Sequence, residues 1–115
     1  MAELSFQSSI RGYHIYRSVW QYRIGDVLTC EIEEGNPNDK FAVKLTLKRG
    51  DPNRCVGHVP IEFSKIFNFF LKRGGRISAE VTGDNFFGNG LEVPCVYKFS
   101  GVVNDIAKLK ILLKL

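Results

Sequence analysis

From residue 27 to 34 the side chains alternate, with Leu28, Cys30 and Ile32 on one side and Thr29, Glu31 and Glu33 on the other. That is the period of a half-buried β-strand. Phe41, Val43, Leu45 and Leu47 repeat it against Lys44, Thr46 and Lys48, so the two segments are expected to pair across the 35–40 connection. Residues 5–16 read as a long first strand, with Gly12 a bulge or a point of close backbone approach. Residues 17–26 read as a loop or ragged strand closed by Gly25 and Asp26. After a second turn at 49–53, a short strand is expected at 54–59. Residues 76–83 alternate through Ile77, Ala79 and Val81, and residues 91–100 through Val93, Cys95, Tyr97 and Phe99.

The period changes at Pro60. In IEFSKIFNFFLKRGG, Phe63, Ile66, Phe67 and Phe70 recur at helical spacing, and Lys72, Arg73, Gly74 and Gly75 form the stop. The spacing predicts a helix over 61–73 with its phenylalanines facing the core. A second helix is expected at about 104–114, capped by Asn104, with lysines on part of its surface. The stretch GDNFFGNG between two strands reads as a hairpin-like loop carrying exposed Phe86 and Phe87.

About six strands with one or two helices make a mostly β, α+β chain, in which spacing excludes a helix after every strand. The expected architecture is a small antiparallel, partly open barrel, OB-like or SH3-like. A length of 115 residues, 44% hydrophobic and 24% charged, fits one domain over 1–115, with a core at about 9–101 and the C-terminal helix in 102–115. No segment is apolar enough to span a bilayer, and the start lacks the basic and apolar regions of a signal peptide. Cys30, Cys55 and Cys95 are odd in number and far apart, with no Cys-x-x-Cys pair; they read as reduced thiols of an intracellular protein, with neither a disulfide framework nor a zinc site. The net charge of +4 permits a nucleic-acid partner without requiring one.

The chemistry of an enzyme is missing from the pattern. His14 and His58 are the two histidines, and no nucleophile elbow, phosphate-binding loop, metal-binding histidine pair or catalytic carboxylate pair accompanies them. Glu33 and Glu34 are strand neighbours and face opposite sides. No cofactor, no metal and no catalytic residue are expected.

Two short motifs carry more information: GNPNDKFAVKL at 35–45 and VGHVP at 56–60, preceded by IRGYHIY and followed by a helix, RISAEVTG and LEVPCVYKFSG. That order resembles the HIRAN domain, the N-terminal module of fork-remodelling ATPases of the helicase-like transcription factor type. The resemblance covers roughly residues 9–101. It implies a modified OB-like or SH3-like barrel that binds single-stranded DNA and, in the best-understood relative, holds a free 3′ end. Carried over by position, Asn36 and Asp39 face the terminal nucleotide, with Asp39 the acceptor for the 3′ hydroxyl and Lys40 beside it. His58 sits near a phosphate, and His14, Ile15 and Tyr16 form the opposite wall.

The departures bear on affinity. Where the relative has an arginine followed by two tyrosines, this chain has His14, Ile15 and Tyr16, so a cation and one ring are lost; a tyrosine before the motif aspartate is replaced by Asn38, and an aromatic before Pro94 by Leu91. Stacking contributes roughly 1–3 kcal/mol per base, so these losses weigh heavily unless Phe86, Phe87, Trp20 or Tyr22 replace them. Each residue also has a plainer reading. Asn36 and Asp39 suit an Asx-type turn, His58 a satisfied strand histidine, and Tyr13 and Tyr16 core packing. Lys44, Lys48, Arg49 and Arg54 are the expected positive patch, and Arg11, Arg17 and Arg23 flank the pocket from the other side. The functional expectation is a non-enzymatic, monomeric module for single-stranded DNA and its 3′ end at a stalled fork or repair intermediate. A nuclear setting is implied by the resemblance alone. The alternative is a protein-interaction domain that keeps the barrel without the pocket and uses Phe86, Phe87 and the C-terminal helix.

Overall fold

The computed structural model describes residues 1–47, 54–88 and 90–115. Seven strands and three helices follow one another as β1 (Ala2–Arg11), α1 (Tyr13–Tyr16), β2 (Val27–Ile32), β3 (Val43–Leu47), β4 (Cys55–His58), α2 (Ile61–Lys72), β5 (Arg76–Val81), β6 (Phe86–Gly88), β7 (Gly90–Gly101) and α3 (Val103–Leu112). Six strands join in the order β1-β4-β3-β2-β5-β7, and β7 pairs back onto β1 to close an antiparallel barrel; β6 is an extra strand on β7. The mostly β, barrel architecture is the one expected. The second turn at 49–53, with Lys48 and Arg49 of the basic cluster, lies outside the described residues.

Alternation builds the interior. Leu28 and Cys30 of β2, Val43 and Leu45 of β3, Ile77, Ala79 and Val81 of β5, and Val93, Cys95, Tyr97 and Phe99 of β7 are all buried. Helix α2 lays Phe67 on this layer, its ring edge-on to Tyr97 at 4.9 Å and to Phe99 at 5.0 Å, and Phe70 meets Phe99 at 5.5 Å. Gly74, at φ 91°, ends α2 in the left-handed conformation that a side chain resists. Burial pushes the Cys95 thiol up to about 12 and raises that of Cys30 too. Cys55 is the half-buried cysteine, and all three are free. Among the described residues, no helix is long and apolar enough to cross a membrane.

Three expectations need correction. The first strand does not run through residue 16: it ends at Arg11, because Gly12 takes a left-handed conformation (φ 88°, ψ 12°) and Tyr13–Tyr16 wind into a helical turn. The Ile15 amide donates to the Gly12 carbonyl at 2.9 Å. Strand-like composition loses here to one backbone angle. This turn is also a third helix, beyond the one or two expected. Asn104 does not cap α3, which starts at Val103 after an extended Val102 with no side-chain cap.

The barrel closes narrowly on one side. Among the described residues, β1 and β4 meet through a single pair, Arg11 with His58. Gly57, beside that pair, permits the approach: a Cβ there would lie 2.4 Å from Ile10 Cγ2 and 3.1 Å from the Arg11 carbonyl oxygen. Ile10 is fully buried and the carbonyl is main chain, so neither gives way easily. Gly57→Ala is therefore expected to lower stability by about 1–3 kcal/mol, read as an earlier midpoint in urea unfolding. An unchanged midpoint would show that the seam is not tight.

Candidate nucleic-acid interface

A hollow of about 420 Å³ opens beside this seam, lined among others by Arg11, Tyr16, Glu33, Asn36, Asp39 and His58. Ile15, Asn38, Ala42, Val59, Ile61 and Ser64 complete much of its wall. The residues come from the end of β1, α1, the β2–β3 connection, β4 and the first turn of α2. A larger cavity of about 650 Å³ lies elsewhere, against β1, β2, β5 and β7. Its charged residues, Glu3, Arg76 and Lys98, are exposed strand positions without the histidine and turn carboxylate that meet at the seam.

The Asn-Pro-Asn-Asp turn is held by its own side chains. Asn36 Oδ1 accepts the amides of Asn38 at 2.8 Å and Asp39 at 3.1 Å, while Asn36 Nδ2 donates to Glu33 Oε1 at 2.7 Å. Asp39 Oδ1 accepts the Phe41 amide at 2.9 Å. This is the Asx-type turn anticipated from composition. It commits Asn36 to structure. Asp39 uses one carboxylate oxygen in the turn, and the residue lines the hollow.

His58 stands at the base of the site. Its Nε2 lies 2.9 Å from Glu33 Oε1, and its ring lies 6.1 Å from that of Tyr16. Burial opposes ionisation of Glu33, but hydrogen bonds from Asn36 and His58, with the positive charges of His58 and Lys44, outweigh it and hold the carboxyl below its usual value. Burial also raises the Tyr16 phenol, as does a hydrogen bond shared with Cys55. Arg11 supplies a permanent cation, paired through both terminal nitrogens with Glu62 at 2.7 Å and near the buried Glu92 at 3.5 Å. Ser9 hydrogen-bonds the same Glu92 carboxylate. Against Arg11 and His58 stand the carboxylates of Glu33 and Asp39, so the hollow is mixed in charge rather than basic.

Of the residues singled out from sequence, Ile15, Tyr16, Asn36, Asp39 and His58 line the hollow; His14, Lys40, Leu91, Phe86 and Phe87 do not. The helical turn at 13–16 sends the exposed His14 to the other hairpin, where a Cβ on Gly90 would lie 3.1 Å from its ring. Leu91 and Phe87 are a cross-strand pair of β6 and β7. Trp20 and Tyr22 do not replace the missing stacking rings. Trp20 is 1% exposed, and both pack edge-on against Tyr13, at 5.8 and 5.2 Å. Arg17 and Arg23 are exposed and off the wall; Arg11, the remaining flanking arginine, is part of it. Glu33 and Ser64 were not anticipated. Glu33 looked like one polar position in an alternating strand, and its role arises from a turn residue and a histidine that come to it from elsewhere.

Asn36→Ala should cost about 1–2 kcal/mol in urea unfolding, since two turn amides and the Glu33 carboxylate lose their partner at once. Stability equal to the parent protein would mean that the turn holds without it.

No family model matches the sequence, and no curated protein matches it. Solved structures do. The crystal structure of the HIRAN domain of human HLTF superposes with a TM-score of 0.74 at 21% identity, covering 96% of this chain and 86% of that one. The NMR structure of the HLTF HIRAN domain in its DNA-bound conformation gives 0.70 at 21% identity, covering 96% and 85%. A protein from Lactobacillus plantarum gives 0.63 at 16% identity, covering 87% and 98%. The barrel and its inserted helix are thus built on the HIRAN-domain fold.

Proposed function

We propose that this chain is a non-catalytic module that binds single-stranded DNA at the seam hollow and takes a free 3′ end there. The observation that carries the reading is the convergence of Asp39, His58, Tyr16 and Arg11 on one hollow, in a fold shared with a domain solved in a DNA-bound conformation. A volume of about 420 Å³ is in the range of small-ligand sites and suits one nucleotide. The acceptor on Asp39 suits a terminal hydroxyl, Tyr16 offers a ring face, and His58 and Arg11 offer donors to a phosphate. The strand would leave over a ridge next to the hollow, where Lys40 and Lys65 stand over the Phe41 ring at 5.2 and 5.5 Å and Lys65 over Phe69 at 5.7 Å. Cations interleaved with rings are what a backbone and its bases require. Action at repair intermediates in a nucleus would follow from this reading.

Two measurements test it. Affinity for a short labelled single strand should fall linearly with the logarithm of salt concentration, with a slope of about −0.7 for each phosphate neutralised. Asp39→Ala should lose the preference for a free 3′ hydroxyl over a 3′ phosphate while retaining residual strand binding; a preference left intact would falsify end recognition. A second reading rests on Phe87, 82% exposed on β6 beside exposed Phe86. Such a surface suits a protein partner, and salt-insensitive binding abolished by Phe87→Ser would favour it.

A further inference from the structure

We propose that Glu33, Cys55 and His58 form a binding site for a divalent ion of the zinc type. A carboxylate oxygen of Glu33, Cys55 Sγ and an imidazole nitrogen of His58 all lie within 4.8 Å of one another, and each residue is half-buried. Cys55 and His58 are three apart on one strand, which in a regular strand would put them on opposite faces. β4 is not regular. Its pairing with β3 steps from Leu45–Gly57 to Thr46–Cys55, so Val56 is one residue too many and forms a bulge. Because Lys44 pairs with His58 and Thr46 with Cys55, the bulge returns both side chains to one face. Glu33, whose amide extends the β2–β3 ladder by donating to the Ala42 carbonyl at 2.9 Å, meets them there.

The donor set selects the ion. Thiolate, imidazole and carboxylate together suit borderline-soft zinc-like ions, whereas magnesium and calcium favour oxygen alone. Neighbouring donors around a tetrahedral zinc stand roughly 3.3–3.8 Å apart, so small side-chain rotations bring the three into range. A supporting contact exists: Asn36 Nδ2 holds Glu33 Oε1 at 2.7 Å. On binding, Cys55 releases its thiol proton to solvent, His58 coordinates as the neutral imidazole, and their present contacts, to the Gly57 carbonyl at 3.4 Å and to Glu33 at 2.9 Å, are exchanged for metal bonds. Three protein donors leave a fourth position for water or a ligand oxygen. The site needs no DNA, so it stands or falls apart from strand binding.

The test is titration of the DNA-free protein with Co²⁺, followed by displacement with Zn²⁺. One ion per chain should bind, giving a thiolate-to-cobalt charge-transfer band that Zn²⁺ removes. Cys55→Ser should lose the band, and His58→Gln or Glu33→Gln should each weaken binding about tenfold or more, with urea unfolding confirming that each variant folds. Zn²⁺ should also protect Cys55 of the unaltered protein from alkylation, a readout that needs no variant. Absence of saturable binding, a band that survives Cys55→Ser, or alkylation of Cys55 at the same rate with and without Zn²⁺ would overturn the proposal.

Discussion

The approach of β1 to β4 governs the rest of the molecule. Elsewhere the barrel is held by long ladders, such as the ten pairs from Ala2–Gly101 to Arg11–Glu92 between β1 and β7. At the remaining side one pair, Arg11 with His58, completes the ring. It exists because Gly57 lets Ile10 and the Arg11 carbonyl come closer than any side chain would allow. Closing a sheet with so little pairing leaves the neighbouring main chain and side chains at the rim without strand partners, and the hollow occupies that gap.

What fills the gap is set by three local irregularities. The bulge at Val56 turns His58 and Cys55 outward together, and the Asn36-centred turn brings Glu33 and Asp39 to meet them. Left-handed Gly12 then folds Tyr16 over the top instead of letting β1 run on. The polar groups satisfy one another in pairs: Arg11 with Glu62, His58 with Glu33, and Asp39 with the Phe41 amide. A ligand entering here therefore exchanges existing partners, which favours selective recognition of one chemical group over strong general attraction.

Much of this was legible in the residues. Alternation located β2, β3, β5 and β7, and the helical spacing of Phe63, Ile66, Phe67 and Phe70 located α2, because burial on one face leaves a periodic trace. The meeting of Asn36, Asp39 and His58 was implied by the family resemblance that the two motifs carry, not by the spacing itself. The errors share a cause. The fate of residues 13–16 hung on one glycine angle, and the place of His14 changed with it. Glu33 was hidden because its partners come from distant sequence, and the Cys55–His58 pair because a bulge breaks the strand period on which the reading relied. Trp20 and Tyr22 looked like loop aromatics, yet both pack edge-on against Tyr13, which buries Trp20 and leaves Tyr22 half-buried with its hydroxyl bonded to Asn85.

The proposed surface for a DNA strand is the seam hollow. Backbone amide chemical shifts, recorded while a short single strand with a free 3′ end is added, test this directly. If the strand binds there, the largest changes fall in three separate stretches, 11–16, 36–42 and 58–65, rising to saturation together. Changes confined to β6 and α3, with those three stretches silent, would contradict it.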